Sequence, residues 1–322
     1  MSITIEDIRA ARTRIAGHVR RTPLAPSSWL SDATGGQILL KAESLQTTSS
    51  FKLRGALNAI GALVERTQGP PPRVVTASAG NHGRAMAWAA EHLGVALTVF
   101  TSREAPRTKR DAIRRHGADL EDTAPTYDDA ERLAKTFARE TNATFISPYN
   151  HADVIAGAGT IGLELVEDAP EAGQILVPVG GGGLVSGIAI AVKSLAPATQ
   201  VIGVEVEASH PFQTSLAAGR ITEITVGDTI ADGLSGNLDH DTMTFAIVRD
   251  RVDTTVLVSE AALRRGIRGL VAHEHLIAEG AGIAAVAALL ERRVEPGSDP
   301  AVALVSGANI DFDRLQGILA EA

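Results

Sequence analysis

The chain has 322 residues, of which 44% are hydrophobic and 21% charged, and it carries a formal net charge of −8. That balance belongs to a soluble globular protein with a substantial core, and the acidic surplus argues against nucleic acid or an anionic membrane as a partner. Cysteine is absent, which excludes disulfides, thiolate metal sites and cysteine nucleophiles.

The start, Met1 to Asp7, has no apolar signal core, and the longest apolar stretch, Leu184 to Val192, is too short to span a bilayer. A cytoplasmic location is therefore expected. Ile5, Ile8 and Ile15, with Ala11 between them, keep helical spacing behind a Thr4 cap. Thr22-Pro23-Leu24-Ala25-Pro26 breaks that pattern, and Ile38 to Lys41 reads as a short strand. Leu53, Leu57, Ile60 and Leu63 predict a helix that Thr48, Ser49 or Ser50 could cap. Gln68-Gly69-Pro70-Pro71-Pro72 is a breaker and a hinge.

Val74 to Ala77 is a strand that runs into Ser78-Ala79-Gly80-Asn81-His82-Gly83 and an alanine-rich helix, Arg84 to His92. Leu97 to Phe100 is the next strand. The basic run Arg103 to Arg115, with Glu104 and Asp111 in it, reads as a solvated helix face; Pro106 suits its first turn and Gly117 its end. Thr126 caps a helix whose apolar face is Ala130, Leu133, Ala134, Phe137 and Ala138. Thr144 to Ile146 is a strand, followed by a turn at Pro148. Ile175 to Val179 leads into Gly180-Gly181-Gly182-Gly183 and a helix from Leu184; Val201 to Val206 is a further apolar strand. Ser259 starts a helix with Leu263, Ile267, Leu270 and Val271 on one face. Ala301 to Val305 is a last buried strand, ending in Ser306-Gly307-Ala308-Asn309. Trp29 and Trp88 are expected in the core. Repeated strand–helix units with short apolar strands predict an α/β fold of mainly parallel sheets covered by helices. Two sheets suit this length. The hinge and the Pro148 turn mark a smaller domain, 67–149, inserted into a larger one made of 1–66 and 150–322.

Two stretches carry chemistry. Lys52 follows Leu45-Gln46-Thr47-Thr48-Ser49-Ser50-Phe51, a run with no charge. Such an amine is a candidate for covalent chemistry with a carbonyl, because burial lowers its pKa and frees the lone pair; the alternative is an ordinary snorkelling helix lysine. The tetraglycine loop follows a strand and opens a helix, where successive backbone N–H groups and the helix dipole suit a phosphate; the alternative is a tight turn. No Gly-Lys-Ser/Thr follows. Glu205 stands near where a ribose-binding acid would be, but the sixth position of a Gly-x-Gly-x-x-Gly pattern falls on Val185 or Ser186, so a nicotinamide dehydrogenase is the weaker reading. A cofactor with both a phosphate and an aldehyde accounts for lysine and loop together, and that is pyridoxal phosphate. Its ring hydroxyl and ring nitrogen need partners. Asn81 and Ser306, each at the C-terminal end of a strand, fit those two roles.

The sequence resembles the fold-type II pyridoxal-phosphate enzymes, in the threonine/serine dehydratase and serine racemase branch. The matching stretches are Ser50 to Ala56, Ser78 to Gly83, Pro178 to Leu184, Ile230-Ala231-Asp232-Gly233 and Ser306 to Asn309, in order across nearly the whole chain. The resemblance implies two open, mainly parallel-sheet domains like the tryptophan synthase β-subunit, the smaller closing over the substrate, and a homodimer. It implies Lys52 as the Schiff-base lysine, Phe51 near the ring, Asn81 on the ring hydroxyl, Gly180, Gly181, Gly182, Gly183 and Leu184 on the phosphate, and Ser306 on the ring nitrogen. Glu279, in Glu279-Gly280-Ala281-Gly282, resembles an acid lining the same pocket.

Three departures are informative. Serine racemases carry a second acid/base where this chain has Ala79, as dehydratases do, which favours elimination over racemisation. Relatives often hold a divalent cation; Glu205 and Ser209 are the candidates here, but Pro211 occupies the place of a further aspartate and lowers the oxygen count. The chain ends shortly after Asn309, so feedback by isoleucine through a C-terminal regulatory domain is not expected. The mechanism implied is removal of the Cα proton by the freed Lys52 amine. The β-hydroxyl then leaves protonated, helped by the cofactor phosphate, and a 2-oxo acid and ammonia are released. Ser78, Ala79, Gly80, Asn81 and His82 are placed at the substrate carboxylate, with His82 as a loop hydrogen-bonder. His273 and His275, at i and i+2, face apart on a helix and are no metal pair. The expected activity is an ammonia-lyase on L-threonine, L-serine or a related β-hydroxy amino acid. Alternatives are a racemase of the same fold, or a dehydratase of hydroxyaspartate, of phenylserine or in hydroxyectoine breakdown.

Overall fold

The structure, a computed structural model, describes residues 3–78, 80–105 and 107–321. The expectations placed on Ala79 and Pro106 fall outside the described residues. Strands β1 (Leu24–Pro26), β2 (Ile38–Ala42), β3 (Val74–Ala77), β4 (Leu97–Ser102), β5 (Asp119–Ala124), β6 (Thr144–Phe145), β7 (Gln174–Pro178), β8 (Gln200–Val206), β9 (Thr254–Val258) and β10 (Ala301–Val305) alternate with helices. The helices are α1 (Ile5–Ile15), α2 (Ser28–Thr34), α3 (Lys52–Arg66), α4 (Asn81–Leu93), α5 (Arg107–Arg114), α6 (Tyr127–Thr141), α7 (Ala152–Asp168), α8 (Gly183–Leu195), α9 (Pro211–Ala218), α10 (Met243–Arg251), α11 (Glu260–Gly269), α12 (Ala284–Leu290) and α13 (Phe312–Leu319). Thr4, Thr126 and Ser259 cap α1, α6 and α11 as expected, each accepting from a first-turn amide.

The strands form two sheets, as expected. One runs β1-β2-β10-β7-β8-β9 and is parallel except for β1 at its edge; the other runs β5-β4-β3-β6 and is parallel throughout. Pro26 is tolerated in β1 because an edge strand needs only one row of ladder bonds. Side-chain alternation divides the larger core. Ala301, Ala303 and Val305 face α11 and α12, whereas Val302 and Leu304 face α7 and α8. In the smaller sheet Val74 and Val99 pack with α3 and α4, and Val75, Ala77 and Phe100 pack on α6.

The longest helix, α7, carries no signal in the chain-order reading because its apolar face is interrupted by Gly157, Gly159 and Gly162. Those glycines are the contact surfaces. A Cβ at Gly157 would lie 2.5 Å from Arg54 O and 2.7 Å from Gly55 Cα, and one at Gly162 would lie 2.7 Å from Ala191 Cβ. Thus α7 is pressed between α3 and α8, the two helices that begin with Lys52 and with the glycine loop. A second tie fixes α3. Arg54, fully buried, holds Glu43 (Nη2–Oε1 2.8 Å) and Glu164 (Nη1–Oε1 2.6 Å), and Lys41 Nζ completes the cluster on Glu164 Oε2 at 2.6 Å. The tryptophans differ from expectation. Trp29 and Trp88 are half-buried rim residues stacked on His273 and His92, with ring centroids 5.2 and 4.7 Å apart.

Gly157→Ala should lose about 1–3 kcal/mol in urea unfolding, the usual cost of an overpacked contact. The same change at Gly297, where an added Cβ meets nothing within 4 Å, should cost far less. Equal effects would remove the close approach of α3 and α7 as the cause.

Candidate active site

Lys52 opens α3. None of Thr48, Ser49 and Ser50 caps that helix: Phe51 is the N-cap and makes no side-chain bond. Ser49 adopts a left-handed φ of 58° and Ser50 bridges Gly307, while Phe51 N donates to Ser306 O at 3.0 Å. The uncharged run thus acts as a strap that fastens the start of α3 to the end of β10. It also leaves Ser50 Oγ buried with no hydrogen-bond partner among the described residues.

The Lys52 amine is partly buried and donates to Pro148 O at 2.9 Å, with the Phe51 ring centroid 5.1 Å away. Burial pulls its pKa down to about 8, and the charge of Glu279 opposes that only in part. Pro148 also joins the amine to the glycine loop, because the neighbouring Tyr149 ring occupies the space a Cβ at Gly181 would need. Phe212 does the same at Gly182, whose φ is 84°, and Gly233 O lies 2.9 Å from a Cβ at Gly180. Close approach therefore requires glycine at these three positions. Ser186 N is the first donor into the α8 ladder, to Gly182 O at 2.9 Å, so the amides of residues 183–185 lack a helical carbonyl behind them. Leu184 is buried in the adjoining core.

β10 and β7 are neighbours, so Ser306 and the glycine loop leave the sheet side by side. Asn81 starts α4 at the end of β3 and donates through Nδ2 to Glu279 Oε1 at 2.5 Å. Burial pushes the Glu279 carboxyl up to about 7 despite the Asn81 bond. Gly307 admits this pair: a Cβ there would strike the Glu279 carboxyl and lie 3.3 Å from Asn81 Nδ2. These contacts link Lys52, Phe51, Asn81, Glu279, Ser306 and the glycine loop to one another. Ser78 and Gly80 flank the loop start, with Gly80 N donating to Ser78 Oγ at 3.2 Å.

His82 differs from the expected loop hydrogen-bonder. It lies in the first turn of α4, buried, with neither ring nitrogen bonded among the described residues. Burial and the nearby Lys52 charge push it well below the usual imidazole range, so it is neutral. Glu205 Oε1 accepts from Phe212 N at 2.9 Å and Oε2 from Gln213 N at 2.8 Å, capping α9. Ser209 Oγ accepts from Gly236 N at 3.1 Å, and among the described residues no group of three His, Asp or Glu is placed to hold a metal. Among the described residues no helix is long and apolar enough to cross a membrane.

The sequence reading missed Pro148 O, Tyr149, Arg84 and any role for Asn309. Only Arg84 leaves a local trace, as a charge three residues after Asn81 in an alanine-rich helix.

An amine of lowered pKa, a glycine loop beside it whose helix-start amides lack helical carbonyls, and an amide donor fit pyridoxal phosphate. A family model described as "Pyridoxal-phosphate dependent enzyme" matches residues 15–307. The chain belongs to that family. It is a pyridoxal-phosphate dependent enzyme of fold type II. It is 42% identical over 319 residues to the L-threonine ammonia-lyase of Thermotoga maritima, covering 98% of this chain and 78% of that one. Among solved structures it resembles a threonine deaminase of T.th., with 40% identity, a TM-score of 0.87 and coverage of 96% and 99% of the two chains. It also resembles maize serine racemase, with 33% identity, a TM-score of 0.91 and coverage of 98% and 97%.

Two outcomes test the geometry. Capture of pyridoxal phosphate by apo-enzyme, followed by near-visible absorbance, needs the neutral amine. Its rate should rise about tenfold per pH unit below the Lys52 pKa of about 8 and level off above it; a rate flat from pH 6 to 9 would exclude the lowered pKa. Gly181→Ala, which drives a methyl into Tyr149, should weaken cofactor binding by at least about tenfold, an overpacking cost of about 1.4 kcal/mol or more.

Proposed function

We propose that this enzyme is an ammonia-lyase that converts L-threonine, and L-serine with it, to the 2-oxo acid and ammonia by α,β-elimination. The observation that carries the reading is the Lys52 amine: partly desolvated, bonded to a carbonyl and set beside a glycine cradle, in a chain 42% identical to an L-threonine ammonia-lyase.

Lys52 Nζ is the base for the Cα proton; its lowered pKa gives it a neutral fraction near neutral pH. Pyridoxal phosphate, when bound, supplies the sink for the negative charge left at Cα. Ser306 would partner its ring nitrogen, Asn81 its ring hydroxyl, and the amides of 180–184 its phosphate. The hydroxyl of Ser306 cannot neutralise a full positive charge as a carboxylate would, which suits prompt loss of the β-hydroxyl over a long-lived carbanion. Ser78 to His82 form the substrate-carboxylate side, where the start of α4 offers amides; the neutral, buried His82 packs there rather than moving protons. In the net reaction the Cα–H and Cβ–O bonds break and water leaves. Hydrolysis of the resulting enamine returns that water and gives 2-oxobutyrate and ammonia from L-threonine.

Residues 67–149 are proposed to act as the closing domain. Support comes from two contacts that reach from α5 to the larger sheet's loops, Lys109 Nζ–Asp232 Oδ2 at 2.5 Å and Thr108 Oγ1 to Asp311 Oδ1 at 2.7 Å. A cytoplasmic homodimer is the assembly we propose.

With L-threonine the holoenzyme should form 2-oxobutyrate and ammonia in equal amounts, and Lys52→Ala should lose both the near-visible band and the activity. With L-serine, 2-oxo acid should exceed D-serine. Dominant D-serine would make the enzyme a racemase, and a pigmented protein inert on both amino acids would move the substrate to another β-hydroxy amino acid.

A further inference from the structure

Arg84 lies three residues after Asn81 in α4, on the same face of the helix. Its Nη1 donates to Asn309 Oδ1 at 2.5 Å. Asn309 Nδ2 donates to Thr48 O at 3.0 Å and to Asn81 Oδ1 at 2.6 Å. Asn81 Nδ2 then donates to Glu279 Oε1 at 2.5 Å. Four residues from three separate parts of the chain form one directed file of hydrogen bonds.

A carboxamide has a donor end and an acceptor end of nearly the same shape, so its partners decide which way it points. Two partners in this file have no choice. A guanidinium only donates, and a backbone carbonyl only accepts. Both grip Asn309, Arg84 at the oxygen and Thr48 at the nitrogen, so Asn309 must present N–H to Asn81. Asn81 must answer with Oδ1, which leaves Nδ2 as the only group it can turn into the site. Arg84 is kept in place against resistance: burial and the neighbouring Arg115 both lower its pKa. An ordinary surface arginine bears neither cost.

We infer that Arg84 and Asn309 are positioning residues that fix the polarity of the Asn81 amide, so that a donor and never an acceptor faces the cofactor's ring hydroxyl. This rests on the placement of Asn81 at that hydroxyl. The consequence is electronic. A donor at the hydroxyl oxygen favours its ionised form and so sets the balance between the near-visible and near-ultraviolet forms of the bound cofactor. An oxygen there would favour the protonated form instead.

The test uses holoenzyme variants, the absorption spectrum of bound pyridoxal phosphate, and its dissociation constant from a titration of that band. Asn309→Asp keeps an acceptor for Arg84 but offers Asn81 only acceptors, so the Asn81 amide must reverse. The near-visible band should diminish in favour of the near-ultraviolet one, and cofactor binding should weaken about tenfold, the worth of one well-placed hydrogen bond. Arg84→Met removes the obligate donor and should move both readouts in the same direction. Arg84→Lys restores a donor and should lie within about twofold of the parent, a rescue that a purely structural arginine would not show. Asn81→Ala is the reference. If it shifts the spectrum while Asn309→Asp and Arg84→Met do not, the positioning role is wrong and the Asn81 placement stands. If Asn81→Ala shifts nothing, Asn81 does not face the ring hydroxyl and both fall. Should Arg84→Met fail to fold, Asn309→Asp decides alone.

Discussion

A lysine amine that must be neutral near physiological pH has to be taken out of water without being given a counter-ion, and the site is arranged around that constraint. Two buried lysines show the difference. Lys41 Nζ lies fully buried against the Glu164 carboxylate at 2.6 Å, inside a cluster with Arg54 and Glu43 where two positive and two negative groups balance. The Lys52 bond goes to a carbonyl, Pro148 O. A carbonyl orients the amine and stabilises the cation far less than a carboxylate would, so desolvation prevails. The acid whose charge does reach it, Glu279, is itself pushed toward neutrality by burial. The same burial therefore holds the amine below and the acid above their usual ranges.

Holding that arrangement requires rigid backing, and glycine supplies it by closeness. Gly157 and Gly162 bring α7 onto α3 and α8, and Arg54, two residues beyond Lys52, anchors the same helix to Glu43 and Glu164. The start of α3 is in turn strapped to the end of β10 by the Phe51–Ser306 and Ala308–Ser49 backbone bonds. Lys52, Ser306 and the glycine loop thus belong to one tightly packed unit. The Asn81 loop comes from the other sheet. Asn309, Arg84 and Glu279 are what tie it back, and the ion pair of Lys109 with Asp232 adds a contact at the rim.

Much of this was legible in the chain. The uncharged run before Lys52, the four consecutive glycines, and the positions of Asn81 and Ser306 at strand ends each state a local chemical requirement, and local requirements survive in sequence. Strands β2, β3, β4, β6, β7, β8 and β10 were readable as short apolar runs, whereas β1, β5 and β9 were not; β5, with Asp119, Glu121 and Asp122, was hidden because its alternate residues are exposed. Helix α7 was missed for the opposite reason: glycines chosen for close packing erase the apolar stripe that marks a helix. The capping of α9 by Glu205 was hidden as well, since a buried carboxylate reads the same in sequence whether amides or a cation answer it.

The sequence by itself therefore determined the class of chemistry: an amine, an anion cradle, an amide and a hydroxyl at the ends of parallel strands, with no thiol and no excess basic charge. The tertiary structure alone decided how those groups are tuned. The carbonyl on Lys52 comes from 96 residues away, and the partner of Asn81 at Asn309 from 228. Contacts at such separations are set by how helices and sheets pack and leave no period or spacing in the chain. Protonation state and amide orientation depend on those contacts, so they become readable only once the two sheets have met.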